Sequence, residues 1–555
     1  MIKHLTAVLL IFLGSWFLPA QAQNQKKADM VLLNGKVFTA VDKNPFVEAV
    51  AIHEGKILAV GTSAEIRTLI SSETEVIDLG GKLVIPGFID AHCHFASGGR
   101  SLIDLTFRGV DSIERIQEMV VAKIEELPKG SPIFGDQFDH TLFPGGNWPS
   151  RKDLDKVSPR NPVIIERVDG HSIWVNSKAL EQCGITKETE SPFGGEIVKD
   201  PNTGEPTGIL KEEATSLIKI EKPAISPSDI ERALNHAAKL GLTGIHTSSN
   251  LEEIEMYKKL RAEGKLTLRI YAWLPFSEID TYIKKGIKQG QGDSMVRVGF
   301  QKFYIDGTLG SGTALLFEPF EDEPDKIGLP QYSEEEFYAL VEKAHKNGYQ
   351  IGVHAIGDKG VHWVLNAVEK AQGKHGKKGL RHRIEHAQII SPEDIKRFSK
   401  LGVIASMQPT HCTTDLRFCE QRIGKERSKG AYVWKTLLDN GAVLSFGTDW
   451  SVEPLDPMRG LYSCITRKNI EFGTPEGGWF PDQRLTMEEA IKCYTWGSAY
   501  ASFEENIKGT LGEGKLADMV ILSRNLFEIE PREILDTQVI CTILGGRVVY
   551  NKEKN

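Results

Sequence analysis

The sequence predicts an α/β protein in which a long central region, alternating strands with helices, lies between two β-rich ends. Three observations lead there. Between residues 87 and 504, apolar strand-like runs (266–273, 296–305, 349–354, 443–446) are separated by helix-like stretches (227–240, 251–263, 334–347, 392–401). Strand and helix in repeated alternation mean a parallel sheet, either open or closed into a barrel. The β texture of residues 28–33, ADMVLL, returns as ADMVIL at 517–522. Between about 106 and 211 the alternation fades and Pro and Gly multiply, as in FPGGNWP at 143–149. That stretch reads as an insertion after the first central strand.

At the front, runs 30–33 and 36–40 flank Asn34-Gly35, 49–53 and 57–60 flank Glu54-Gly55, and 75–79 and 82–85 flank Gly80-Gly81. Short Val/Ile-rich runs around such turns predict β-hairpins. Residues 539–551 predict another, around a Gly-Gly turn. The two ends suggest one composite β-domain built from 23–86 and 505–555; two independent β-extensions are the alternative. In the centre, Ser226-Pro227 and Ser391-Pro392 place a capping hydroxyl and a first-turn proline at helix starts.

At roughly 150 residues per domain, 555 residues suggest three or four domains, although one barrel with additions uses the same length. Hydrophobic residues at 40% and charged residues at 26% are ordinary globular usage, which argues against disorder and against a multi-span membrane protein. The net charge of −8, from 75 acidic and 67 basic residues, lacks the basic footprint of a nucleic-acid binder. Residues 1–22 read as a secretory signal: Lys3 and His4, an apolar run over 7–18, then Ala20-Gln21-Ala22. The run is too short to span a bilayer, which needs about 20 apolar residues. The expectation is export, to the periplasm if the chain is bacterial, with no membrane attachment after cleavage. The seven cysteines form no Cys-x-x-Cys pair and are expected to be mostly buried small hydrophobes.

Chemistry concentrates where strand-like runs end. In LVIPGFIDAHCHF (83–95), strand alternation points His92 and His94 one way and Cys93 the other, and two imidazoles on one face suit a divalent metal. His354 follows the apolar run in QIGVHAIGD, His386 follows another in HRIEHAQ, and Asp449 follows a third in AVLSFGTDW. Each alone reads more readily as a structural residue than as a ligand. Together they are imidazoles and a carboxylate at the end of parallel strands where barrel enzymes build their sites. Lys302 lies within the strand FQKFYID, beside Phe300 and Tyr304. A buried ammonium loses charge unless paired, and Asp306 on the same face is the candidate partner.

These motifs resemble the amidohydrolase superfamily, specifically its family 3, the branch that includes N-substituted formamide deformylase-like enzymes. The resemblance covers essentially the whole chain after the leader. It includes NGKV (34–37), PGFIDAHCH (86–94), VDGHSIWVNSKAL (168–180), KFYIDGTLGSGTA (302–314), VHAIGD (353–358), EHAQ (385–388), GTDWSVEP (447–454) and GTLGEGKLADMVIL (509–522). It implies a (β/α)8 TIM barrel with a composite β-sandwich. It further implies a metal centre of His92, His94, Lys302, His354, His386 and Asp449, with two Zn2+ bridged by carboxylated Lys302 and a metal-activated hydroxide as nucleophile. Asp449 would be the proton acceptor, and Asp169, His171 and Asp306 would face the substrate, His171 stabilising the oxyanion. For Asp169 the alternative is a cap on a helix starting near Ser172. The chain departs from the family in two places. Thr247-Ser248-Ser249 stands where an Asp often follows the His, and DQFDHTLFPGGNW (136–148) lacks the usual Trp-Asp pair, with Asp139 standing for the aspartate.

The resemblance implies an exported hydrolase of a C–N bond (amide, formamide or cyclic amide) in a small molecule. A mononuclear deaminase of a heterocyclic amine is the alternative, and a binding protein that has lost its metals is a weaker one. No nucleic-acid partner is expected, and a homodimer stays open as the commonest closed assembly.

Overall fold

The computed structural model describes residues 26–554; the leader expected at 1–22 lies outside the described residues. Eight parallel strands form one sheet in chain order: β1 (Phe88–Cys93), β2 (Leu242–Ser248), β3 (Arg269–Pro275), β4 (Val296–Tyr304), β5 (Ile351–Ala355), β6 (Arg383–His386), β7 (Ile404–Met407) and β8 (Leu444–Phe446). A parallel bridge between Cys93 and Trp450 brings the end of β8 back to β1 and closes the barrel. β1, β5, β6, β7 and β8 are buried along their whole lengths. A sheet covered on both faces favours apolar runs, which makes β5 legible as a strand, whereas β6 carries Arg383 and Glu385 into the interior and β7 is not among the expected runs.

Helices Pro227–Lys239, Leu251–Ala262 and Glu334–Lys346 start and stop close to the predicted positions. Ser226 accepts from Asp229 N, and Asp229 accepts back from Ser226 N at 2.8 Å, a reciprocal cap. Asp229 also receives Arg100 at 2.7 Å, which ties this helix to the one after β1. The helix predicted from Ser391 begins later, at Ile395. Asp394, the residue at its cap, turns its carboxylate to the side chains of His362 (3.0 Å) and Arg397 (2.8 Å) and accepts no backbone N–H of the helix.

In the β-domain, one six-stranded sheet runs Arg547–Asn551, Val539–Leu544, Met519–Leu522, Leu83–Pro86, Lys36–Phe38, Phe46–Val47 and so takes strands from both ends of the chain. A four-stranded sheet of Lys56–Gly61, Ala49–His53, Met30–Leu33 and Glu75–Asp78 packs on it, with Leu32, Ile52, Val84 and Ile543 in the shared core. Two of the predicted hairpins are not hairpins. Met30–Leu33 and Lys36–Phe38 lie in different sheets, as do Glu75–Asp78 and Leu83–Pro86. Asn34, at φ 57°, turns the chain from one layer to the other, and a Cβ on Gly35 would meet the Leu79 side chain at 2.2 Å. A strand that changes layer has the same alternation as one that doubles back, so pattern does not separate them.

The insertion is an α/β layer of its own. Its six-stranded sheet runs Gly195–Lys199, Pro206–Glu212, Ser172–Val175, Val163–Arg167, Ile133–Phe138, Leu105–Thr106 over a core of Phe107, Phe138, Trp174 and Ile209. β3 is tied to the β-domain by Arg269, whose Nε and Nη2 grip Asp518 at 2.7 and 2.8 Å in a buried fork. All seven cysteines are free, and all but Cys183 are buried. Among the described residues no helix is long and apolar enough to cross a membrane.

Candidate functional site

The closure of the barrel positions the first set of groups. Asp90 of β1 accepts from Thr448 N (3.1 Å) and from His92 N (2.9 Å), clamping the loop after β8 onto the end of β1. Asp449 N donates to His92 O at 2.7 Å and completes the clamp. Only glycine fits at 447, where a Cβ would meet His92 N at 2.5 Å. The result sets His92 Nε2 and His94 Nε2 at 3.6 and 3.4 Å from Asp449 Oδ1. Burial raises the Asp449 carboxyl pKa, but His92, His94 and His386 around it outweigh this and hold it well below the usual range.

Lys302, His354 and His386 complete the cluster from β4, β5 and β6. Lys302 Nζ lies 3.2 Å from His92 Nε2 and about 5 Å above the faces of Trp273 and Tyr304. Burial pushes its pKa down to about 8, against Glu385 and Asp449, which favour the charge. The candidate Asp306 pairing does not form. The His386 ring stands 5.1 Å from that of His92 and 4.5 Å from that of His354. Both His386 (φ 71°) and Asp449 (φ 58°) have left-handed backbones, a strain of about 1–3 kcal/mol each that the surrounding clamp holds in place.

Above the cluster a cavity of about 540 Å3 is bounded by all six of these residues together with Asp136, Glu166, Asp169, His171, Glu212 and Tyr304. The insertion supplies the outer wall. His171 Nδ1 lies 2.8 Å from Glu212 Oε2; burial opposes its charge, but Glu212 and Asp169 prevail and raise its pKa to about 9. Asp169 accepts from Thr308 and Ser311 at 2.6 Å each and pairs with Arg167. It caps no helix, because Ser172–Val175 is a strand. Asp306 is a correction to the expected substrate contacts. It is fully buried and accepts backbone N–H groups of Leu315, Ile356 and Gly357, so it organises loops behind His354. Asp139 is likewise turned to Arg167 and Arg417.

The model of the amidohydrolase family matches residues 75–550. The chain belongs to the amidohydrolase family. It is similar to a putative amidohydrolase, YtcJ, of Bacillus subtilis, with 34% identity over 93% of this chain and 98% of the relative. It is also similar to the N-substituted formamide deformylase of Arthrobacter pascens, with 26% identity over 94% of this chain and 98% of the relative. Among solved structures, an uncharacterized metal-dependent hydrolase from Pyrococcus horikoshii superposes with a TM-score of 0.72 and 30% identity, over 90% of this chain and 99% of that one. The chain is thus a hydrolase acting on C–N bonds.

The amidohydrolase site fits a divalent ion on the chemistry of its donors. Asp449 Oδ1 and His386 Nδ1 are buried with no hydrogen-bond partner, and such orphans ordinarily cost about 1–3 kcal/mol each. His92 Nδ1 lies 2.6 Å from Glu385 Oε2, and a proton there leaves the Nε2 lone pair, which faces Lys302 Nζ, able to ligate an ion. His354 Nε2 lies 3.0 Å from the Gly307 carbonyl, which likewise frees Nδ1. Burial, with Lys302 alongside, lowers the His92 pKa to about 4. Glu385 is itself held by Arg383 at 2.8 and 3.0 Å, and Arg383 reaches on to His246 Nδ1, Ala91 O and Ser406 Oγ. Sequence reasoning missed this second layer, although Arg383 and Glu385 sit inside the motif that carries His386. A carboxylate behind a ligating imidazole fixes its tautomer and orientation. Glu385→Gln is expected to weaken binding of a divalent ion by about 10- to 100-fold, measured by competition with a chromophoric chelator.

Proposed function

We propose that the protein is an exported, metal-dependent amidohydrolase that cleaves an amide, formamide or cyclic amide bond in a small molecule. The observation that carries this reading is the convergence of His92, His94, Lys302, His354, His386 and Asp449 on one cavity at the strand ends of a closed barrel. His92, His94 and Asp449 would hold one ion. Lys302, His354 and His386 would supply the donors for a second, zinc in both cases, when Lys302 carries a carbamate. Bound there, divalent ions supply Lewis acidity and make water a nucleophile near neutral pH.

The chain's own groups do the rest. Asp449, kept ionised by its histidine neighbours, accepts the proton of the attacking water and returns it to the leaving nitrogen. His171, anchored through Nδ1 by Glu212, offers its other ring nitrogen to the carbonyl oxygen as charge builds there. The insertion excludes water from one side and shapes the substrate's outer half. A cavity of about 540 Å3 suits a small molecule. Export rests on the leader at 1–22.

The test is a screen of N-formyl amines, N-acyl amines, cyclic ureides and dipeptides with zinc-loaded protein, reading amine release and metal content. Turnover of an amide or formamide that is lost on chelation and restored by zinc supports the reading. Tight metal binding with release of ammonia from heterocyclic amines alone would replace it with a deaminase.

A further inference from the structure

The cluster holds one imidazole more than the family resemblance accounts for. His411 lies on the helix Pro409–Asp415, which follows β7. Its ring is parallel to that of His386, 7° apart in tilt with centroids at 6.0 Å. Its Nε2 stands 4.0 Å from Asp449 Oδ2, beyond hydrogen-bond reach. That nitrogen is buried without a partner, as are His386 Nδ1 and Asp449 Oδ1. Buried polar atoms almost always find partners, and several orphans in one place point to an ion.

The donor positions support this. His386, His411 and Asp449 each offer an atom within 4.8 Å of the other two, the relation that also holds for His92, His94 and Asp449. Donors tetrahedrally placed around an ion with bonds of about 2.0–2.1 Å stand roughly 3.3–3.4 Å apart, so side-chain rotations that draw the donors together close either set. Asp449 belongs to both, with Oδ1 towards His92 and His94 and Oδ2 towards His411.

We propose that His386, His411 and Asp449 form an alternative position for the second metal ion, bridged to the first by the Asp449 carboxylate. It rests on the metal-centre reading above and is occupied instead of the Lys302–His354 position, because His386 serves both. Which one fills follows from Lys302. Without a carbamate the Lys302 side offers two donors, His354 and His386, against three on the His411 side, His386, His411 and Asp449. The site therefore keeps two ions whether or not carbon dioxide has modified the lysine.

The experiment compares wild type, His411→Phe, His411→Ala and His354→Ala, each stripped of metal and reloaded with Co(II) in bicarbonate-free buffer. Ions per chain are counted by elemental analysis after gel filtration, and the ligand field is read from the Co(II) visible spectrum. His411→Phe keeps the ring stacked on His386 and removes only the donor, and thermal unfolding checks that each variant is folded. The expected result is about two ions in wild type and His354→Ala, and about one in both His411 variants with a changed spectrum. Adding bicarbonate should restore the second ion to the His411 variants but not when His354 is also replaced. An unchanged count and spectrum in both His411 variants overturns the proposal. So does a wild type with only one ion, or loss of the second ion from His354→Ala in bicarbonate-free buffer. A wild type that binds no ion overturns the metal-centre reading as well.

Discussion

Asp449→Ala is expected to lower kcat on any amide the protein cleaves by about 10⁴-fold, the upper end of what a positioned proton acceptor contributes. The magnitude follows from the residue's two duties. Its Oδ1 lies within 3.6 Å of both histidines of β1's end, and its carboxylate is kept ionised in a buried site by the rings around it. Removing it takes away a donor and the proton acceptor together. Asp449→Asn keeps the shape and one neutral oxygen, so it should retain more metal than Asp449→Ala while remaining as slow. Steady-state kinetics alongside metal analysis reads both. A variant that kept more than about a tenth of wild-type kcat would show that another group takes the proton.

Arg383→Met is expected to destabilise the protein by about 3–5 kcal/mol, since it strips a buried carboxylate of its guanidinium partner. Arg383 is fully buried, its guanidinium lies 4.4 Å from the Phe300 ring, and it joins β6 to β1, β2 and β7 through Ala91, His246 and Ser406. Glu385 would remain between His92 and a methionine, with Lys302 the one cation left to face its charge. Its pKa, which burial raises but Arg383 and His92 bring down to about 2, would climb. Pairing the change with Glu385→Gln removes that charge and should recover part of the lost stability. The thermal midpoints of the two single variants and the double variant give the coupling between them. Additive losses would mean that packing, not charge, carries the effect.

How much of this was legible in the sequence depends on distance along the chain. His92, His94, His354 and Asp449 stand at or just past the ends of mostly apolar runs and His386 ends the strand RIEH, so strand geometry brings them to one rim of a parallel sheet. Lys302 was conspicuous because a lysine inside such a run has no water to reach. The Glu385–Arg383–His246 chain was not legible, because its partners come from β1, β2, β6 and β7 and only closure of the barrel puts them in contact. His411 was hidden for the same reason, on a helix rather than at a strand end. Glu212 escaped notice because nothing local marks it; the fold holds it at φ 50° against His171. Asp306 shows the opposite failure. It belongs to a site-like motif, yet backbone amides claim its carboxylate.

The six-stranded sheet of the β-domain has a consequence for how the chain is made. Leu83–Pro86 sits between Lys36–Phe38 and Met519–Leu522, so one of its neighbours is synthesised more than four hundred residues after it. At ribosomal speeds of about 5–20 residues per second, that wait is on the order of 20 to 90 s. Throughout it, a fully buried apolar strand presents an open edge. The final sheet, and the Arg269–Asp518 clasp beside it, form only once the whole barrel has left the ribosome. Any folding that proceeds from the N-terminus therefore leaves this layer half-built until the last strands arrive.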